Sequence, residues 1–371
     1  MWGRSIRAEG ALLGAVLLDP AGQHHALDLV QPGDMRRPWH AQVLAAMQRA
    51  RARGALPDPA EVYRELQNDP DLPRGVARDG VLLANLMEAA PRPTHTPAYA
   101  AMVAETGIRQ RLYLAGSRMA QASQTGDLEA AWRQVGYARG EVDACTARWL
   151  ALPGHLRLQL PIDTAATAGA EGERRAGGRR ARPRGGAAVA AGAAALRDLA
   201  ADPSQLAGVA RWLRPDYFAR PRDGALYAVM RDMDAAGMPV DPVTVTWAAA
   251  RRGIRADPGS LAEGTGAFAV ASAREVYRHG ALAGVAQAGR DIQAGATSPG
   301  CSLDRVMQQA GERLRTIEAL PRPGAVPGGG SRLLAPDHVA PGPGSVRHPA
   351  RRPGRGSASP PVRQPEREAA Q

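Results

Sequence analysis

Residues 19–62 recur without a gap 183 positions later, as residues 202–245. Of the 44 aligned positions, 12 are identical: Asp19/Asp202, Pro20/Pro203, Pro32/Pro215, Arg37/Arg220, Pro38/Pro221, Ala45/Ala228, Met47/Met230, Ala52/Ala235, Gly54/Gly237, Asp58/Asp241, Pro59/Pro242 and Val62/Val245. A chain rich in Ala, Arg and Gly matches itself by accident at roughly a twelfth of positions, about four in such a window, so the excess is a real repeat. The matched residues are those that set turns and helix starts, which are hard to replace. A period this long excludes a solenoid and points to one domain present twice.

The length of 371 residues accommodates two such modules plus connecting segments. The division reads as a first module over 1–150, a linker over 151–191, a second, divergent module over 192–320, and a tail over 321–371. Linker and tail are rich in Gly, Pro and Arg, lack a repeating apolar face and read as disordered. The formal charge of +11 is unevenly spread. Residues 1–145 are neutral and residues 193–320 carry +1, whereas residues 146–192 and 321–371 carry +5 each. Such a distribution argues against a broad basic face on either module.

All 47 basic residues are arginine. A high-GC gene explains that bias, because lysine codons are AT-rich, and it is no sign of selected phosphate contacts. Without lysine the chain cannot supply the phosphate-binding lysine of a P-loop. Two cysteines, Cys145 and Cys301, are too few for a disulfide framework and ill suited to zinc. Arg4, Arg7 and the apolar run 11–18 imitate a signal peptide, but Glu9 interrupts the pattern and Asp19-Pro20 stands where a small-residue cleavage site belongs. No segment reaches the 18 or more apolar residues a membrane span needs, so a cytoplasmic protein without membrane contact is expected.

Aromatic and β-branched runs are scarce, and the pattern predicts an all-α fold. In the first module helices are expected over 11–18, 22–30, 38–54, 58–66 and 81–87, followed by a hairpin of 97–124 and 127–150. In the second they fall at 193–201, 204–213, 221–236 and 241–251, with a hairpin of 267–294 and 302–320. At the hairpins the offset drops to 173, where Ala115-Gly116 matches Ala288-Gly289. Ten residues are therefore missing from the second copy where the 81–87 helix would lie, and 257–266 is a poor substitute.

No catalytic constellation emerges. His24, His25 and Asp28 share a helical turn, yet Ala207, Gly208 and Arg211 keep none of them, so a solvated face is the simpler reading. Gly264-Thr265-Gly266 lacks the preceding strand of a dinucleotide loop. Cys145 and Cys301 have no histidine arranged beside them and read as small hydrophobes. His40 reads as a partly buried helix histidine. No cofactor and no metal site is expected. Arg174, Arg175, Arg179, Arg180, Arg182 and Arg184 form the strongest charge cluster, with salt-sensitive DNA contact as the functional reading and a soluble linker as the plain one.

The runs AEGALLGAVLLDP (8–20), MRRPWHAQVLAAM (35–47) and YAAMVAETGIRQRLYLAG (99–116) resemble the N-terminal domain of replicative DnaB-type DNA helicases. FARPRDGALYAVM (218–230) and GMPVDPVTV (237–245) are similar to the same family. The residues carrying the likeness are Glu9, Leu13, Asp19, Pro38, His40, Gly54, Asp58 and Pro59, then Pro221, Gly237, Asp241 and Pro242. The resemblance implies a helical globule with a hairpin, hairpins that pair between subunits into a hexamer collar, and collar contacts to primase and loading factors. ATP hydrolysis in that family belongs to a separate RecA-like domain, of which this chain offers no counterpart. The second copy departs from the pattern, with Arg222 and Asp223 in place of Trp39 and His40.

Together these readings lead to a non-enzymatic, tandem collar-like adaptor linked to DNA replication. Its partners are expected to be protein: itself through the hairpins, a helicase collar or a primase. The competing readings are a nucleic-acid binder acting through the arginine-rich segments, and a decayed helicase relative with no retained role. Two copies in one chain also predict that hairpins 97–150 and 267–320 pair internally about a pseudo-two-fold axis.

Overall fold

The computed structural model describes residues 2–70, 80–157, 185–322 and 325–326, all of which lie in one compact unit. Among the described residues there are helices and turns and no strand. Helix α1 (Trp2–Leu18) buries Leu12, Leu13 and Val16 completely and stops before Pro20. Asp19 then caps the one-turn helix α2 (Pro20–Gln23), accepting the Gly22 amide at 3.0 Å. Residues 24–29 continue as a 3₁₀ segment in place of the α-helix expected over 22–30, and a second 3₁₀ turn covers Pro32–Asp34. Pro20 at the first helical position starts α2, and the extended backbone of Val30 and Gln31 ahead of Pro32 ends the segment.

Helix α3 (Pro38–Ala52) starts on Pro38 and ends before Gly54, whose φ of 80° closes the turn as a side-chain-bearing residue rarely could. Helix α4 (Pro59–Gln67) is capped by Asp58, which accepts the Glu61 amide at 2.8 Å. Helix α5 (Gly80–Glu88) packs on α1. The hairpin is α6 (Thr96–Ala122) and α7 (Leu128–Ala151), and a one-turn helix α8 (Gly154–Arg157) follows.

The second copy repeats this order through α9 (Gly186–Ala201), α10 (Leu206–Val209), α11 (Pro221–Ala235), α12 (Pro242–Arg251), α13 (Gly259–Ala262), α14 (Ala269–Thr297) and α15 (Leu303–Glu318). Helices α3 and α11 have the same length of 15 residues, and Gly237 repeats the positive φ of Gly54 at 66°. Helix α9 begins seven residues earlier than its apolar face suggested. Alanine propensity extends it backwards, and Gly192 inside it faces the Phe218 ring. The ordered chain also runs past residue 150: Leu152 is buried and α8 follows it. The 151–191 linker therefore shortens at both ends. Arg174, Arg175, Arg179, Arg180, Arg182 and Arg184 lie outside the described residues, as does nearly all of the 321–371 tail.

The degenerate stretch before the second hairpin is not empty. The single turn of α13 buries Leu261 and packs against α9, as the longer α5 packs against α1. In copy one Gly14 permits that approach, since a Cβ there would lie 2.6 Å from the Leu86 carbonyl carbon. In copy two the position of Gly14 is held by Arg197, and the glycine has moved across the contact: a Cβ at Gly264 would lie 3.0 Å from the Asp198 nitrogen. The Gly264–Gly266 run is thus a close-packing device, in line with its reading as a loop.

The core does not follow the repeat boundary. One cluster joins the head of copy one to both hairpins, including Leu282, Val285, Ile292, Val306, Leu314 and Ile317 of copy two. The other is the head of copy two, completed by the first turns of α14 and by Val326.

Candidate interaction interface

The two hairpins cross where α6 meets α14. A Cβ on Gly289 would lie 2.5 Å from the Gly116 carbonyl oxygen and 3.0 Å from the Ala120 nitrogen. A Cβ on Gly116 would meet the Gly289 oxygen and stand 3.2 Å from the Gln293 nitrogen. With the offset of 173, Gly116 corresponds to Gly289 and Ala120 to Gln293, so each contact is the mirror of the other. Reciprocity of this kind defines a two-fold axis, here inside a single chain. Leu112, Ala115, Met119, Val285, Ala288 and Ile292 close the surrounding core.

Each hairpin turn also receives an arginine from the other hairpin, although the two arginines do not stand at equivalent positions. Arg109, buried on α6, donates to the Ser298 and Cys301 carbonyls at 3.3 and 2.6 Å, across the turn of the second hairpin. Arg278 on α14 donates to the Gly126 carbonyl in the turn of the first, at 3.0 Å. The outer helices α7 and α15 add a Trp149 indole bond to Asp304 at 3.0 Å and a bidentate Arg139–Glu318 pair at 3.1 and 2.7 Å.

Each hairpin meets its own head at a second glycine. A Cβ at Gly107 would lie 2.6 Å from the Asp34 Cβ, and one at Gly280 would lie 2.5 Å from the Tyr217 Cβ. These are again equivalent positions with different chemistry. In copy one Asp34 is fully buried, accepts the Gln31 amide at 2.8 Å and forms a bidentate pair with Arg148 of α7. In copy two Tyr217 packs edge-on against Tyr277, with ring centroids 5.4 Å apart, and Tyr277 donates to the Pro321 carbonyl.

The residues carrying the family likeness lie at caps, first helical turns, helix ends and buried positions. Glu9 and His40 form a buried pair with 2.9 Å between Oε2 and Nδ1, and Glu9 also accepts the Arg36 and Arg37 amides at 3.1 and 3.4 Å. Burial pushes the Glu9 carboxyl up, but the His40 and two amide hydrogen bonds outweigh it and leave it below its ordinary value. Leu13 is fully buried; Pro38, Pro59, Pro221 and Pro242 occupy first helical turns; Asp19, Asp58 and Asp241 are N-caps. Gly54 and Gly237 end helices. Cys145 is buried, with its thiol pushed up to about 11 chiefly by burial and then by Glu141, which keeps this side chain a protonated thiol at neutral pH. Asp28 is held bidentately by Arg51 at 2.7 and 2.9 Å, so the His24–His25–Asp28 turn is an ion-paired surface. Among the described residues no cluster of His, Cys, Asp and Glu could hold a metal, and no helix is long and apolar enough to cross a membrane.

Sequence reasoning missed the head–hairpin pairs. Gly107 and Gly280 also match at offset 173, a signal that was present in the sequence. Asp34–Arg148 spans 114 positions, and no local pattern announces it.

Fold and interface together define a tandem all-helical module whose two hairpins satisfy each other within one chain. The profile described as "DnaB-like helicase N terminal domain" matches residues 3–105 and 187–278, more than half of the chain. The protein belongs to this family, twice over. Its two matched segments end at equivalent positions under the offset of 173. A curated relative, the replicative DNA helicase DnaB of Geobacillus stearothermophilus, is 34% identical over 128 residues, covering 34% of this chain and 27% of that protein. The replicative DNA helicase DnaB of Mycobacterium leprae (strain TN) is 30% identical over 126 residues, covering 33% and 20%. The chain therefore spans about a quarter or less of the length of these relatives. A crystal structure of the N-terminal domain of DnaB helicase from Mycobacterium tuberculosis is 29% identical, covers 38% of this chain and 94% of its own, and has a TM-score of 0.28.

Proposed function

We propose that this protein is a non-catalytic scaffold that works through the surface of a collar-like hairpin pair and serves DNA replication by contacting a helicase collar or a primase. The observation that carries the reading is the reciprocal Gly116–Gly289 crossing. A surface that would otherwise be left open for another subunit is already occupied, so one chain presents the pair and both heads as a finished unit. The linker keeps the partner hairpin at about millimolar effective concentration, which favours the internal pair over exchange with other chains. The absence of lysine from the sequence, and of any glycine loop between strand and helix among the described residues, supports a role without ATP chemistry. To test it, the full chain is mixed with the replicative helicase hexamer, and separately with the primase, of the same cell, and complexes are followed by sedimentation. A stable complex with either is expected. Failure to bind both, or ATP hydrolysis by the chain alone, defeats the proposal.

A second reading keeps one favourable observation, the +5 charge on each of residues 146–192 and 321–371. It assigns DNA contact to Arg174, Arg175, Arg179, Arg180, Arg182 and Arg184 and to the tail. Counterion release makes such binding fall steeply from low to physiological salt, whereas protein docking on the modules responds little.

A further inference from the structure

Copy two has acquired an apolar face that copy one lacks. On α12, Val243 and Trp247 are 68% and 64% exposed, and Met238, in the turn before the helix, is 47% exposed. Valine and tryptophan lie four residues apart, hence on one helical face. The equivalent positions in copy one hold Ala60, Arg64 and Ala55. Exposed tryptophan and valine on a short surface helix are costly to keep in water and enrich protein interfaces. Neither side chain appears in the apolar core of either head.

The charges on this helix say what fits. Its one carboxylate is the N-cap, Asp241, held ionised below its ordinary value by the Thr244 and Val243 amides. Its one cation is Arg251 in the last turn, with the guanidinium 5.0 Å from the Trp247 ring centroid and no ion pair among the described residues. Acid at the start and base at the end make the face complementary to itself when two copies run antiparallel. Pairing about a two-fold axis at Trp247 places indole on indole, sets Val243 against the Arg251 stem of the other copy, and brings each Arg251 toward the opposite Asp241. The helix dipoles oppose favourably in the same arrangement. A parallel arrangement would set like charges together.

We propose that the Val243 and Trp247 face of α12 is a self-association surface that takes the same face of a second copy of this chain. A ten-residue helix pair buries less than the roughly 1,000 Å² of a stable interface, so the dimer forms reversibly at high concentration. The inference does not rest on the replication reading, because the face lies on the head of copy two and apart from the hairpin crossing.

The test is sedimentation equilibrium of the full chain over a wide concentration range, beside the double variant V243A/W247R. That variant installs the residues copy one carries at the same exposed positions, so folding is not at risk; circular dichroism and the melting curve serve as the check. The native chain is expected to rise toward twice its mass and the variant to hold the single-chain mass throughout. R251E is expected to weaken the dimer by about tenfold, in keeping with loss and reversal of a paired charge. A native chain that stays at single mass, or a double variant that associates as the native chain does, overturns the proposal.

Discussion

The two heads share helices, turns and crossing glycines, yet they are held together by different chemistry. Copy one buries three carboxylates, each with a cationic or histidine partner: Glu9 with His40, Asp34 with Arg148, and Glu65 with Arg49 and Arg53. At the matching positions copy two has Gly192, Tyr217 and Ala248. Phe218 fills the space left at Gly192, where a Cβ would meet its ring at 3.3 Å, and Tyr217, Tyr277 and Trp212 replace the ion pair between head and hairpin. Buried pairs add little net stability but fix one arrangement, because leaving either partner alone is expensive. An aromatic cluster stabilises through area and tolerates small shifts. Copy one thus retains its geometry through charge, and copy two through packing.

The strongest way to break the comparison is to remove what the copies share. Gly116→Leu forces a branched side chain into the Gly289 backbone, which cannot rotate away. The cost should exceed the about 3 kcal/mol at the upper end of ordinary overpacking and open the hairpin pair. Amide exchange along both α6 and α14 should accelerate together; faster exchange in one hairpin only would contradict the shared axis. Next in size, Asp34→Ala strands Arg148 beneath the head. About 3 kcal/mol of stability should be lost, the low end for a broken buried pair because Arg148 keeps some contact with water. The loss should show as faster exchange in copy one, with the head of copy two unaffected.

The pair Glu9–His40 sharpens the contrast through pH. Glu9→Gln should cost about 2 kcal/mol, the scale of a hydrogen bond to a charged group. Because the folded Glu9 carboxyl titrates below its ordinary value, its stabilisation is present above the unfolded pKa and is lost as pH falls through the folded one. Asp223, the counterpart of His40, behaves in the opposite sense. Burial raises it against the pull of Arg220 and Arg222, so its ionised form weakens the fold at neutral pH and acidification relieves that strain. Amide exchange of the full chain at pH 4 and pH 7 should therefore loosen α1 and α3 on acidification more than α9 and α11. Equal loosening of both heads would remove the electrostatic distinction.

What the sequence made legible follows from where its information is local. Pro38, Pro221, Asp58-Pro59 and Asp241-Pro242 announce helix starts by their own backbone restrictions, and Gly54 and Gly237 announce ends; all stand where expected. The 3₁₀ segment at 24–29 and the early start of α9 were less legible. No residue pattern within 20–32 distinguishes the first from an α-helix, and the second depends on alanine propensity without an apolar face. Candidate site residues such as Glu9 and His40 were visible as motif positions, but not as partners of each other, since the pairing needs α1 beside α3. The exposed α12 stripe has the spacing of a buried face, and only burial distinguishes the two.

The smallest difference concerns the caps of α4 and α12, an Asp-Pro step that both copies preserve in sequence. Asp58 accepts a single amide, that of Glu61, and the residue at its third helical position is Glu61 itself, turned toward Arg53 and Arg64. Asp241 accepts both the Val243 and Thr244 amides at 2.8 and 2.9 Å, while the Thr244 hydroxyl accepts the Asp241 amide at 3.0 Å and closes a reciprocal box. More first-turn amides are satisfied in copy two, and the cap also carries the negative charge that opposes the helix dipole there. Asp241→Ala should therefore cost about 1.5 kcal/mol and Asp58→Ala about 0.7 kcal/mol, within the usual range for N-caps. Thermal unfolding of each variant measures the two costs, and exchange of the Val243 and Thr244 amides against that of Glu61 assigns them to the caps. Since Glu61 keeps its arginine partners without Asp58, the first turn of α4 should remain partly protected, whereas that of α12 should fray. An equal or larger cost at Asp58 would mean that the arginines around Glu61, and not the cap itself, hold the start of α4 in place.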